Sequence, residues 1–97
     1  MTRDDAEKII RSICRGVQNI SYGEHFWQRV SERVPGFSSL DAMNLLKRGK
    51  VVSDPQWSED FQNFRVKVKG LTDHGRITIV VAIAFFDDAY GVTIYPD

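Results

Sequence analysis

Apolar residues recur at helical spacing through the first half of the chain and alternate with polar ones through the second. Ala6, Ile9, Ile10, Ile13 and Val17 follow the i, i+3, i+4, i+7 rule, which predicts a helix from about Asp4 to Gln18 packed on one face. Asp4, with Glu7 three residues on, reads as its capping box, and Arg11 and Arg15 fall on its solvated side. Ile20-Ser21-Tyr22-Gly23 breaks the period. A second helix carries Phe26, Val30 and Val34 as its apolar stripe. It stops at Pro35-Gly36, because proline disfavours helical backbone at the residue before it. Ser38 or Ser39 caps a third helix, whose apolar face is Leu40, Ala42, Met43, Leu45 and Leu46. Lys47 and Arg48 suit its negative end, and Gly49 closes it.

Beyond Gly49 the period shortens to that of extended chain. Val51 and Val52 begin a short strand, and Asp54 to Asp60 reads as a polar loop. Phe64, Val66 and Val68 alternate with Arg65, Lys67 and Lys69, which makes a strand with one basic face. Leu71 to Gly75 forms a hairpin turn. Ile77 to Phe86 is nearly all apolar, as in a central strand covered on both sides. Asp87 to Gly91 turns again, and Val92-Thr93-Ile94-Tyr95 is the last strand. Short links favour antiparallel pairing throughout. The order defines an α+β domain, with two to three N-terminal helices packed on one face of a three- to four-stranded antiparallel sheet.

The chain has 97 residues, 42% hydrophobic and 27% charged, which fits a single globular domain and excludes a disordered one. Its 13 basic and 13 acidic residues cancel. That balance weighs against tight nonspecific nucleic-acid binding but allows a local basic patch. The single Cys14 has no partner for an intrachain disulfide and reads as a small buried hydrophobe, in keeping with a reducing cytoplasm. Thr2-Arg3-Asp4-Asp5 does not open a signal peptide, and Ile77 to Phe86 is too short to span a bilayer as a helix. No membrane partner is expected. Two distant histidines and one cysteine supply no zinc-ligand spacing, and no glycine-rich phosphate loop or paired nucleophile is present. The expectation is therefore a protein without metal or other cofactor.

The candidate chemistry lies on the second helix. His25, Arg29 and Arg33 follow at four-residue spacing, so one face presents an imidazole beside two guanidiniums. The chain resembles a small bacterial family, known chiefly as a domain of unknown function, that is grouped with the RelE toxins and the wider barnase, EndoU and colicin-like ribonuclease fold. The residues that carry the resemblance are His25, Arg29 and Arg33, the capped helix from Ser39 to Gly49, and Val92-Thr93-Ile94-Tyr95. It covers roughly residues 21 to 96 and leaves residues 1–19 as a helical extension of a RelE-like core.

The resemblance implies metal-independent RNA cleavage in toxin–antitoxin or phage-conflict settings. Such cleavage needs a base for the 2′-hydroxyl, an acid for the leaving 5′-oxygen, and cations on the pentavalent phosphate. His25 can supply the base or acid, because imidazole titrates near neutrality. Arg29 and Arg33 can clamp phosphate oxygens, and Thr93 and Tyr95, on one face of the last strand, can hydrogen-bond the phosphate or leaving group. Arg65, Lys67 and Lys69 would add RNA-binding charge, and Trp57 could stack on a base. Each residue also has an ordinary reading. Arg29 can pair with Glu32, leaving Arg33 the freer of the two. Trp27 belongs to a helix contact, Trp57 can pack on the sheet edge, and His74 lies inert in a polar turn. The rival expectation is a noncatalytic interaction module, such as an inhibitor or phage-encoded modulator, binding an antitoxin or other protein. Zero net charge and the additional N-terminal helix favour it, since that helix could build an oligomer.

Overall fold

Three helices and a six-stranded mixed sheet form an α+β fold in the computed structural model, which describes residues 1–15, 20–85 and 88–97. Helix α1 spans Arg3–Arg15. Its cap sits two residues earlier than the sequence suggests: Asp5 N–H donates to Thr2 Oγ1 at 3.1 Å, and Thr2 N–H donates back to Asp5 Oδ2 at 3.2 Å. Val17 and Gln18 of the expected first helix, and Phe86 and Asp87 of the expected strand and turn, lie outside the described residues. Helix α2, Glu24–Arg33, starts at Gly23 without a side-chain cap and closes as Val34 N–H donates to Val30 O, just before Pro35. Helix α3, Ser39–Arg48, has the reciprocal Ser38/Asp41 capping box that its sequence predicts. Its buried face is Ala42, Leu45 and Leu46; Leu40, expected in that face, is 59% exposed.

The strands are β1 (Ser21–Tyr22), β2 (Lys50–Val51), β3 (Gln56–Ser58), β4 (Asn63–Thr72), β5 (Gly75–Phe85) and β6 (Asp88–Pro96). The sheet runs β1-β6-β5-β4-β2, with β3 also on the outer side of β4. β5 is central, as its apolar run predicts. Several expectations change. The sheet has six strands rather than three or four, and the loop from Asp54 to Asp60 contains β3. Asp88 to Gly91, expected in a turn, already pairs with β5 as the start of β6. The sheet is not wholly antiparallel, because Ser21 and Tyr22 pair in parallel with Tyr90 and Gly91. That pair needs a long crossover, which α2, α3 and the hairpin supply. The Tyr22 ring lies against Gly91, where a side-chain Cβ would come within 2.5 Å of Tyr22 Cδ1.

The helices cover one side of the sheet. Val66, Val68, Ile79, Val81 and Ile94 meet Ile10, Phe26, Val30, Leu45 and Leu46 in one core, all at most 5% exposed. Helix α1 is built into it through Ala6, Ile10, Ile13 and Cys14. It also ties down the sheet edge: Glu7 Oε1 accepts from Val51 N–H at 2.9 Å, and Arg11 Nη2 reaches Gly49 O at 3.4 Å. Arg11 is thus half-buried in a structural role, not solvated. No helix among the described residues is long and apolar enough to cross a membrane.

Candidate functional site

The helices leave the other face of the sheet bare, and strand alternation decides what stands on it. Because Val66, Val68 and Gly70 face the helices, Asn63, Arg65, Lys67 and Lys69 face the open side. Cross-strand register extends this cationic row into three lines: Lys69–Thr78–Tyr95, Lys67–Val80–Thr93 and Arg65–Ala82–Tyr90. Arg76, two residues before Thr78, shares the face and is exposed. A bulge shapes this side of β6. Val80 pairs with Thr93 but Val81 pairs with Gly91, so Val92 is an extra residue. The insertion reverses the alternation and brings Tyr90 onto the same face as Thr93 and Tyr95.

The side chains are held in distinct ways. Asn63, 1% exposed, donates from Nδ2 to Tyr90 Oη at 2.9 Å. That bond draws the tyrosine across the small Ala82 on β5, whose own surface is fully buried. The Arg65 guanidinium lies over the Phe61 ring, 4.9 Å from its centroid. Asn63 Oδ1 and Arg65 Nε, a buried acceptor and a buried donor two positions apart on this face, have no hydrogen-bond partner among the described residues. Lys69 Nζ pairs with Asp97 Oδ2 at 2.8 Å. Lys67 is exposed, with no carboxylate in salt-bridge reach among the described residues.

The residues expected to act together are brought together only in part. Arg33 Nη1 donates to Ile94 O at 3.0 Å and to Thr93 Oγ1 at 3.4 Å, so the end of α2 grips the outer edge of β6. Arg33, Thr93 and Tyr95 are therefore neighbours, and Arg33 is not the freer arginine. Arg29 pairs with Glu32 at 2.9 Å, as its spacing predicts. His25 is exposed in the first turn of α2, and the rise of a helix places it about 12 Å from Arg33 along the axis. Its helix is seated by packed aromatic rings, with Tyr22, Phe26 and Trp27 at centroid distances of 4.7 to 5.5 Å. Burial pushes the Tyr22 phenol well above its ordinary range, so it stays neutral.

Trp57 does not stand with the cationic row. It pairs with Phe64, which puts it on the helix side of the sheet, its ring 5.0 Å from that of Phe64. His74 is engaged rather than inert: its Nε2 lies 3.3 Å from Asp41 Oδ2 and its ring meets Phe37 edge-on. Tyr90, Arg76, Asn63 and Phe61 escaped the sequence reading. Alternation from Arg65 to Lys69 would have reached Asn63, and alternation back from Thr78 would have reached Arg76. No sequence signal gave the bulge that turns Tyr90. Among the described residues, no three His, Cys, Asp or Glu side chains are grouped to hold a metal ion. Comparison of the chain with protein-family models, curated proteins and solved structures finds no match.

Proposed function

We propose that this domain binds single-stranded RNA on the uncovered face of its sheet. One observation carries the reading: in a chain of zero net charge, Arg65, Lys67, Lys69 and Arg76 gather on the face that the helices leave bare, opposite Tyr90, Thr93 and Tyr95. The cations meet phosphates and the tyrosine rings offer surfaces on which unpaired bases stack. Arg33, at the rim, adds a fifth positive charge beside the Thr93 hydroxyl.

Metal-independent cleavage is the catalytic form of the same proposal. Arg33 would stabilise the pentavalent phosphate after exchanging the Ile94 carbonyl for a phosphate oxygen, with Thr93 and Tyr95 beside it. His25 would act as base or acid only for a substrate long enough to follow α2 from its end to its start. The noncatalytic rival draws support from the internal bonds of Arg29 and Arg33.

Fluorescence anisotropy with a labelled single-stranded RNA, titrated across salt, tests the binding. Four phosphate contacts give a slope of log K on log salt near −2.8, and Lys67→Ala reduces it by about 0.7. No binding at low salt, or an unchanged slope in Lys67→Ala, sinks the proposal. Incubating the same RNA separates the two forms. Cleavage that disappears in both His25→Ala and Arg33→Ala supports the enzyme, whereas bound but intact RNA supports the noncatalytic domain.

A further inference from the structure

The chain segment outside β4, next to the Arg65 end of the cationic row, has the reverse charge. From Val51 to Phe64 the chain holds Asp54, Glu59 and Asp60 and no lysine or arginine. This stretch contains β3, which pairs with β4 on one side and has no strand on the other among the described residues. Two large aromatic side chains flank that bare edge. Trp57, 45% exposed, lies on the helix side, and Phe61, 62% exposed, lies on the open side beside Arg65. All three carboxylates are exposed; Asp54 pairs with Arg3 of α1, and Asp60 has no basic partner in salt-bridge reach among the described residues.

We propose that the outer edge of β3 receives a strand from a protein partner, an extended segment bearing lysine or arginine. An unpaired edge offers a row of backbone donors and acceptors that an extended chain can continue, and alternate side chains of that chain fall on the two faces. Trp57 and Phe61 provide apolar contact on either face, and the carboxylates select for positive charge. A second copy is disfavoured, because edge-to-edge pairing of two β3 strands brings the carboxylates of Glu59 and Asp60 of each copy together, Asp54 being already paired with Arg3. RNA is disfavoured by the same sign of charge.

The test uses the full chain and a labelled synthetic peptide of alternating lysine and valine, with an alternating glutamate and valine peptide as control. The lysine peptide is expected to bind, to slow hydrogen exchange at the amides of Gln56, Trp57 and Ser58, and to lose about tenfold in affinity in Asp60→Lys, whose substitution lies on an exposed turn. Trp57→Ala is expected to weaken it similarly. A lysine peptide methylated at every backbone nitrogen, which cannot donate ladder hydrogen bonds, is expected not to bind. Equal binding of the glutamate or the methylated peptide, unchanged exchange at residues 56–58, or no binding of the lysine peptide overturns the proposal. Concentration-dependent dimerisation abolished by Trp57→Ala would also overturn it, in favour of a second copy.

Discussion

Replacing Gly49 by alanine probes the joint that holds α3 against the sheet. Gly49 has φ −71° and ψ 171°, a backbone open to any residue, so the cost lies wholly in space. An alanine Cβ would stand 2.7 Å from Leu45 O, 2.9 Å from Lys69 O and 2.9 Å from Val68 Cγ1. Ordinary contact begins near 3.4 Å, so neighbours on both sides must retreat by about half an ångström or more. Two of these atoms are backbone oxygens: Leu45 O already accepts the Gly49 N–H at 2.6 Å, and Lys69 belongs to the β2–β4 pairing. Neither can rotate away as a side-chain tip could. Overpacking of a well-filled region costs about 1–3 kcal/mol, and a clash with backbone on two sides belongs in the upper part, about 2–3 kcal/mol. For a domain of this length each kcal/mol moves Tm by about 4–8 °C, so Gly49→Ala should lose roughly 10–20 °C. Thermal unfolding followed by circular dichroism measures it, with Gly23→Ser as control, since a Cβ at Gly23 meets nothing within 4 Å and serine remains a good N-cap for α2. If Gly49→Ala melts within about 4 °C of the parent, the close approach of α3 to β4 is not as described.

Three further outcomes follow from the helix starts. Ser38→Ala removes the side-chain half of the α3 capping box and should cost about 1 kcal/mol in urea unfolding. Gly23→Asp supplies the side-chain cap that α2 lacks and should raise stability by a few tenths of a kcal/mol, ~0.5, in the same assay. The Asp41 carboxyl is held below its ordinary value of 3.8, chiefly by the Ser38 backbone N–H, with smaller help from the Ser38 hydroxyl and His74. A carboxyl lowered by folding stabilises fully above the unfolded value and loses that contribution as pH falls through the folded one. The urea midpoint should therefore fall more steeply below about pH 4 in the parent than in Asp41→Asn, and equal slopes would contradict the assignment.

The sequence disclosed what repeats and hid what is brief or nonlocal. Three helices, the β4–β5 hairpin and the centrality of β5 were legible because each has several turns or pleats of consistent period. The α1 cap was misplaced by two residues because Thr2/Asp5 and Asp4/Glu7 both carry acceptors at capping spacing, and local sequence does not rank them. β1 and β3 have two and three residues, too few to show a period, so the parallel pair and the outer edge were invisible. Leu40 fits the helical stripe of α3, yet falls on its margin, where the sheet does not reach. Of the candidate site, the row Arg65, Lys67, Lys69 was legible from alternation alone. The attachment of Arg33 to Ile94 was not, since nothing near residue 33 signals a carbonyl 61 positions away.

The bond from Glu7 to the Val51 amide gives the amino-terminal helix a reach beyond its own packing. One carboxylate there spans from helix to sheet border, so anything that levered the helix outward would strip a donor of its acceptor and uncover the seat of Ile10 in the same movement. The first fifteen residues thus work as a clasp, and shortening the chain at its start would loosen the border strand before it disturbed the cationic face.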